Sequence, residues 1–264
     1  MKKLCLIAFL SFLITGCEDQ TRNPFQGFEV VDLTHVYNNE TLYWPTSPSA
    51  FDHDELSYGM TDGGYFYSSY WLATPEHGGT HLDAPIHFYE GKRTVEQIPV
   101  AELFLPLIVI DVSEQASANP DYRLSLEDVQ NFEAAFGPVP AGSAVLMRTG
   151  WSDSWPDALS YLGDDTPNDA SNLHFPGFGA EAVRFLIEER RVKLIGIDTA
   201  SIDHGPSKDF MVHRIAGEHN VPGLENLTNL DGLPPAGAFI IALPMNIEGG
   251  SGAPARVVAL VKVE

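Results

Sequence analysis

Residues 77–87 read His-Gly-Gly-Thr-His-Leu-Asp-Ala-Pro-Ile-His. This stretch constrains the fold more than any other because it is ill suited to a helix. Paired glycines weaken a helix interior, and a proline removes a donor and clashes one turn back. The segment is predicted to be a tight, irregular loop that concentrates His77, His81, Asp83 and His87. Imidazole nitrogen and carboxylate oxygen gathered in this way point to a metal ion and to the chemistry a metal supports.

The spacing makes the metal reading specific. His81 and Asp83 are two apart and share a face if the chain is locally extended. Gly78-Gly79 permits the turn that folds His77 back toward them, and Thr80 and Asp83 are placed to orient imidazoles. Three ligands leave open positions, as a catalytic ion requires. The cysteines, Cys5 and Cys17, are both near the amino terminus. Thiolate ligation is therefore excluded, and a His/carboxylate site suits Zn, Mn or Fe.

Lys2 and Lys3 precede an apolar run from Leu4 to Ile14, too short to span a bilayer comfortably and suited to a signal peptide over residues 1–16. Ile14-Thr15-Gly16-Cys17 resembles the bacterial lipobox, in which the cysteine is lipidated. Residues 17–27 then form a lipidated, polar tether, and residues 28–264 the folded domain. The expectation is an exported lipoprotein, anchored to a membrane and facing the periplasm or cell exterior. The formal charge of −21 repels phosphate backbones and makes nucleic acid an unfavourable partner.

Strands dominate the pattern. Phe28–Thr34, Tyr65–Ala73, Leu107–Val112, Ser143–Thr149, Lys193–Asp198, Ala238–Leu243 and Arg256–Val263 read as strands. Ser125, with Asp128 three positions on, starts a helix that Gly137-Pro138 stops. A second helix is expected over Gly179–Arg191, with Ala182, Val183, Leu186 and Ile187 on one face. Residues 152–178, full of Asp, Pro, Gly and Asn, read as a long loop. The aromatics Tyr65, Phe66, Tyr70 and Trp71 are expected mostly in the core. One α/β domain with a central sheet and flanking helices follows.

The motif HGGTHLDAPIH together with Ile197-Asp198-Thr199-Ala200-Ser201-Ile202-Asp203 resembles the cyclase family, whose characterised members are bacterial kynurenine formamidases and isatin hydrolases. Asp32-Leu33-Thr34-His35, Pro222–Leu227, Leu243-Pro244-Met245 and Gly249–Gly252 extend the likeness over about residues 28–263. The resemblance implies a swivelling β/β/α fold. It implies His77, His81 and Asp83 as ligands of a first metal, and His213 and Glu225 as completing a two-metal site bridged by Asp83 and Glu225. It implies His87 as general acid/base, the alternative being a further ligand, and Trp44 as the aromatic that packs on the substrate. His219 lies close enough in sequence to substitute for His213, and Glu225 has the alternative of a helix-start or surface carboxylate.

The activity implied is hydrolysis of a small aryl or cyclic amide, such as an isatin-like lactam, using one or two divalent ions, Zn or Mn. An arylformamidase acting on N-formylkynurenine is the alternative within the family. Export argues against that role, because tryptophan breakdown is cytoplasmic, and the carboxy-terminal half looks closer to the isatin hydrolases. A non-catalytic metal- or small-molecule-binding lipoprotein is the non-enzymatic alternative. The family also implies a homodimer.

Overall fold

The computed structural model describes residues 25–263. The expected signal peptide and the expected lipidation at Cys17 fall outside the described residues. Twelve strands dominate: β1 (Phe28–Asp32), β2 (Asp52–Met60), β3 (Phe66–Ala73), β4 (His81–Asp83), β5 (Phe104–Asp111), β6 (Arg123–Leu124), β7 (Ala144–Arg148), β8 (Gly177–Phe178), β9 (Leu194–Ile197), β10 (Gly223–Glu225), β11 (Ala236–Pro244) and β12 (Gly252–Lys262). The helices are short: α1 (Ser113–Ala118), α2 (Leu126–Phe136), α3 (Ala158–Leu162), α4 (Ala180–Arg184) and α5 (Met211–Glu218).

The main sheet runs β1-β12-β11-β5-β7-β9-β10-β4, and β12 pairs β4 as well. The long β12 therefore closes seven strands into a barrel-like ring, pairing β4 through Gly252–Pro254 and β1 through Val258–Lys262. Between β5, β7, β9 and β10 the pairing is parallel. Parallel strands are buried on both faces and so read as continuous apolar runs. Leu107, Val109, Leu146 and Leu194 join Leu82, Leu224, Ile240 and Val257 in one core cluster. The alternate residues Ile108, Ile110, Val145, Met147, Ile195 and Ile197 pack with Val129 and Phe132 of α2, Val183 of α4 and Ile215 of α5 in a second. This strand-rich, single-domain α/β architecture with few helices is the expected class.

Ser125 caps α2 by accepting from the Asp128 amide, and Gly137 ends it at φ 92°. The second expected helix begins as α4 but widens to a π-helix over Phe185–Glu189. Three expectations are corrected. The segment 77–87 is not loop throughout, since His81–Asp83 is paired on both sides as β4 and Pro85–His87 forms a 3-10 turn. Residues 152–178 are not one loop either: they hold α3, capped by Asp157, and the strand β8. Third, Tyr65, Phe66, Tyr70 and Trp71 are exposed rather than core. They lie on or beside a separate two-stranded ribbon, β2–β3, that pairs with nothing else.

Candidate active site

Alternation along β4 turns Leu82 into the core and leaves His81 and Asp83 together on the opposite face. Register then supplies a carboxylate, because Glu225 on β10 stands directly across from His81. His213 arrives from α5. Its Nε2 lies 3.1 Å from Asp83 Oδ2 and 3.1 Å from Glu225 Oε1. His77 Nδ1 lies 2.6 Å from Asp83 Oδ1, and His81 Nε2 lies 3.1 Å from the same oxygen and 3.4 Å from Glu225 Oε2. His81, Asp83, His213 and Glu225 are all buried. These four and His77 thus converge, and His87 and Trp44 line the same cavity. His219 does not: it faces Glu188 at 3.3 Å. Glu225 is a buried strand residue, not a helix-start or surface carboxylate.

Backbone geometry explains the convergence. Gly79 has φ 54°, and a Cβ there would sit 2.6 Å from the Tyr37 ring. Only glycine combines that conformation with so close an approach. The Tyr37 hydroxyl lies 2.7 Å from the carbonyls of Gly78 and Thr80, pinning the turn. Thr80 Oγ1 donates to the Asn226 carbonyl and accepts from the His35 amide, tying β4 to the chain after β10 and to the segment after β1.

The hydrogen bonds behind the imidazoles fix which nitrogen faces inward. His81 Nδ1 donates to the Gly79 carbonyl at 2.9 Å. Its Nε2 is wholly buried, has no hydrogen-bond partner, and points between the carboxylates of Asp83 and Glu225. An orphaned ring nitrogen aimed at two buried carboxylates is the arrangement a divalent cation completes. Two triads have ligand atoms mutually within 4.8 Å: His77, Asp83 and His87, and His81, Asp83 and Glu225. Asp83 belongs to both, and no thiolate takes part.

Electrostatics agree with the donor set. Burial opposes charge on His81, but Asp83 and Glu225 outweigh it and raise its pKa to about 9. For His213 burial is likewise outweighed, by Asp203, Asp83 and Glu225, and its pKa rises well above the usual histidine value. Asp83 stays well below the ordinary carboxylate range despite burial, because His87, His77, His81 and His213 surround it. The pocket thus stabilises positive charge. His87 differs: burial dominates and lowers its pKa to about 4, against the pull of Asp83, so it is neutral at pH 7.

Asp203 stands behind His213. It accepts from His213 Nδ1 at 2.7 Å and from the amides of Val212 and His213. One carboxylate thereby caps α5 from outside the helix and sets the His213 tautomer so that Nε2 faces the site. Its only sequence signal is its place at the end of Ile197–Asp203, ten positions before the histidine it holds.

Above these groups opens a cavity of about 350 Å³. Trp44, Phe88, Phe210, Leu42 and Leu162 contribute apolar walls, with the His/Asp/Glu cluster on one side. Trp44 packs edge-on against Phe175 and Phe210, at 6.4 and 6.3 Å between ring centroids. Phe88 lies 5.0 Å from Phe210 and 4.4 Å from His213. A few convergent polar groups in an apolar cleft are what a small-molecule site requires.

Fold and site together define a metal-dependent hydrolase. The family model described as "Putative cyclase" matches residues 31–204. An isatin hydrolase from Roseibium aggregatum is 34% identical over 248 residues, covering 88% of this chain and 92% of that protein. A kynurenine formamidase from Bacillus cereus is 27% identical, covering 87% and 96%. Among solved structures, an isatin hydrolase bound to the product analogue thioisatinate superposes with a TM-score of 0.81 at 32% identity, covering 90% of this chain and 94% of that one. Isatin hydrolase A from Labrenzia aggregata, bound to benzyl benzoate, gives 0.82 at 33%, covering 90% and 95%. The chain belongs to the cyclase family.

Proposed function

We propose that this protein hydrolyses the C–N bond of a small aryl or cyclic amide, an isatin-like lactam being the favoured substrate class. The observation that carries this reading is the orphaned Nε2 of His81, pointing between two buried carboxylates beside an aromatic-walled cavity. His77, His81, Asp83, His213 and Glu225 would hold one or two divalent ions, Mn or Zn. When bound, such an ion polarises a carbonyl and lowers the pKa of water from ~15.7 toward ~7.

The chain's own residues do the rest. Trp44, Phe88 and Phe210 hold the aryl group and keep bulk solvent out of the cavity around it. Asp203 and the Gly79 carbonyl keep His213 and His81 presenting Nε2. His87, neutral at working pH, takes a proton from the attacking water and returns it to the leaving nitrogen. The similarity to isatin hydrolase over most of both chains favours the lactam over an N-formyl aryl amine. A screen of isatin-like lactams against N-formyl aryl amines, with Mn- and Zn-loaded protein, tests this. Lactam turnover at higher kcat/KM is expected, and preference for the formyl amine would reassign the protein to the arylformamidases.

The proposal extends to assembly and location. Leu56, Tyr58, Met60, Tyr67, Trp71 and Leu72 of the β2–β3 ribbon are all exposed. A lone two-stranded ribbon is at best marginally stable in water, so a ribbon that leaves these apolar side chains exposed supports a homodimer in which a second copy covers it. The double substitution Met60→Ser/Trp71→Ser is expected to shift the particle from twice the chain mass to once, by light scattering after size exclusion. An unchanged mass would remove the ribbon from the interface. The lipobox-like Ile14–Cys17 supports anchoring of the exported protein through lipid at Cys17.

A further inference from the structure

The chain places Glu76 and Ser251 behind His77. Ser251 Oγ lies 2.6 Å from Glu76 Oε2 and 2.9 Å from His77 Nε2. The Ser251 amide also donates to Glu76 Oε2, at 2.9 Å. On the other side of the ring, His77 Nδ1 faces Asp83 Oδ1.

Counting protons gives this chain a direction. A serine hydroxyl has one hydrogen to donate. A carboxylate can only accept, and a charged acceptor makes the stronger bond. The Ser251 proton therefore goes to Glu76, and Ser251 Oγ must accept from His77. His77 then carries its proton on Nε2 and turns the Nδ1 lone pair toward Asp83 Oδ1. At 2.6 Å this nitrogen and the carboxylate oxygen must share a positive centre, and a divalent cation bound to both takes the place a proton on Nδ1 would otherwise fill. The neighbouring ligand has the opposite polarity, since His81 donates through Nδ1 and offers Nε2.

We infer that Glu76 and Ser251 are positioning residues that lock His77 as the Nε2–H tautomer, so that Nδ1 is the atom it offers to a divalent cation. This rests on the metal-centre reading above and deepens it. Glu76 immediately precedes His77, whereas Ser251 comes from the lead-in to β12, so the lock forms only when the barrel closes. Gly252 belongs to the same device. A Cβ there would lie 2.4 Å from His77 Cε1, so only a glycine lets the β12 backbone lie flat against the ring.

The test uses zinc as probe on the full folded domain, with affinity measured by chelator competition and the ring followed by 15N NMR. In zinc-loaded wild type, His77 should show a protonated Nε2 and a metal-shifted Nδ1. Glu76→Ala frees the serine proton to turn toward His77, and Ser251→Ala removes the acceptor. Each should weaken zinc binding by about 10–100-fold, the usual range for groups behind a ligand. Glu76→Gln keeps a carbonyl oxygen for Ser251 and should stay within a few-fold of wild type, a rescue that a merely space-filling role would not produce. Circular dichroism and thermal melts confirm that each variant folds. Metal on Nε2 of His77, or wild-type affinity in both alanine variants, overturns the inference. His77→Ala separates the two levels. If it lowers zinc affinity while Glu76→Ala and Ser251→Ala do not, the metal centre stands and only the lock fails. If it has no effect, both fail.

Discussion

Asp83→Ala is expected to abolish metal uptake and turnover together. Asp83 is the one residue common to both ligand triads, and each of its oxygens is engaged: Oδ1 with His77 and His81, Oδ2 with His213. Without the carboxylate, four imidazoles converge around Glu225, with Asp203 engaged behind His213. Loss of the cation returns water from a pKa near ~7 to ~15.7, so kcat/KM should fall by at least about 10⁴-fold, to the limit of detection. Asp83→Asn separates charge from shape. It keeps the volume and one acceptor oxygen, and it too should fail to hold metal if the negative charge is what matters. Elemental analysis of the purified variants reads this directly. Full metal occupancy in Asp83→Asn would remove Asp83 from the ligand set.

His87→Ala should lower kcat by about 10²–10⁴-fold, the usual worth of a positioned acid/base, and leave metal content near wild type. The ring geometry separates it from the ligands, although it is itself a member of one triad. Its ring stacks on His77 at 3.8 Å between centroids and 17° between planes. Lone pairs lie in the ring plane, so those of near-parallel rings run side by side and converge poorly on one ion. Burial holds His87 in the neutral form from which a general base starts, a form a ligand would share, so the ring geometry carries the distinction. Metal loss in parallel with activity would instead make His87 a ligand.

Much of the site was legible because its parts are local. His77, His81, Asp83 and His87 share one eleven-residue segment whose glycines and proline announce an irregular backbone. Trp44, His213 and Glu225 came only through resemblance, since nothing in their own neighbourhoods marks them. The structure gathers them through the β4–β10 register, the placement of α5, and the wall over the cavity. Periodicity also located most barrel strands and the α2 cap. It misplaced the β2–β3 aromatics, because alternating apolar residues look the same whether a strand enters a core or forms a ribbon awaiting a partner.

By itself the sequence determined the donor chemistry: imidazole and carboxylate without thiolate, on a segment ill suited to an α-helix. It also determined the apolar runs that parallel, doubly buried strands require, and within the ligand segment it disfavoured an α-helix without foreseeing the 3-10 turn at Pro85–His87. Only the tertiary structure decided which nitrogen each histidine presents. That choice depends on Gly79, Asp203 and Ser251, and the last two lie 10 and 174 residues from the rings they hold. A tautomer is set by the partner across the ring, and for His77 and His213 that partner is in place only after β12 closes the barrel and α5 packs against it.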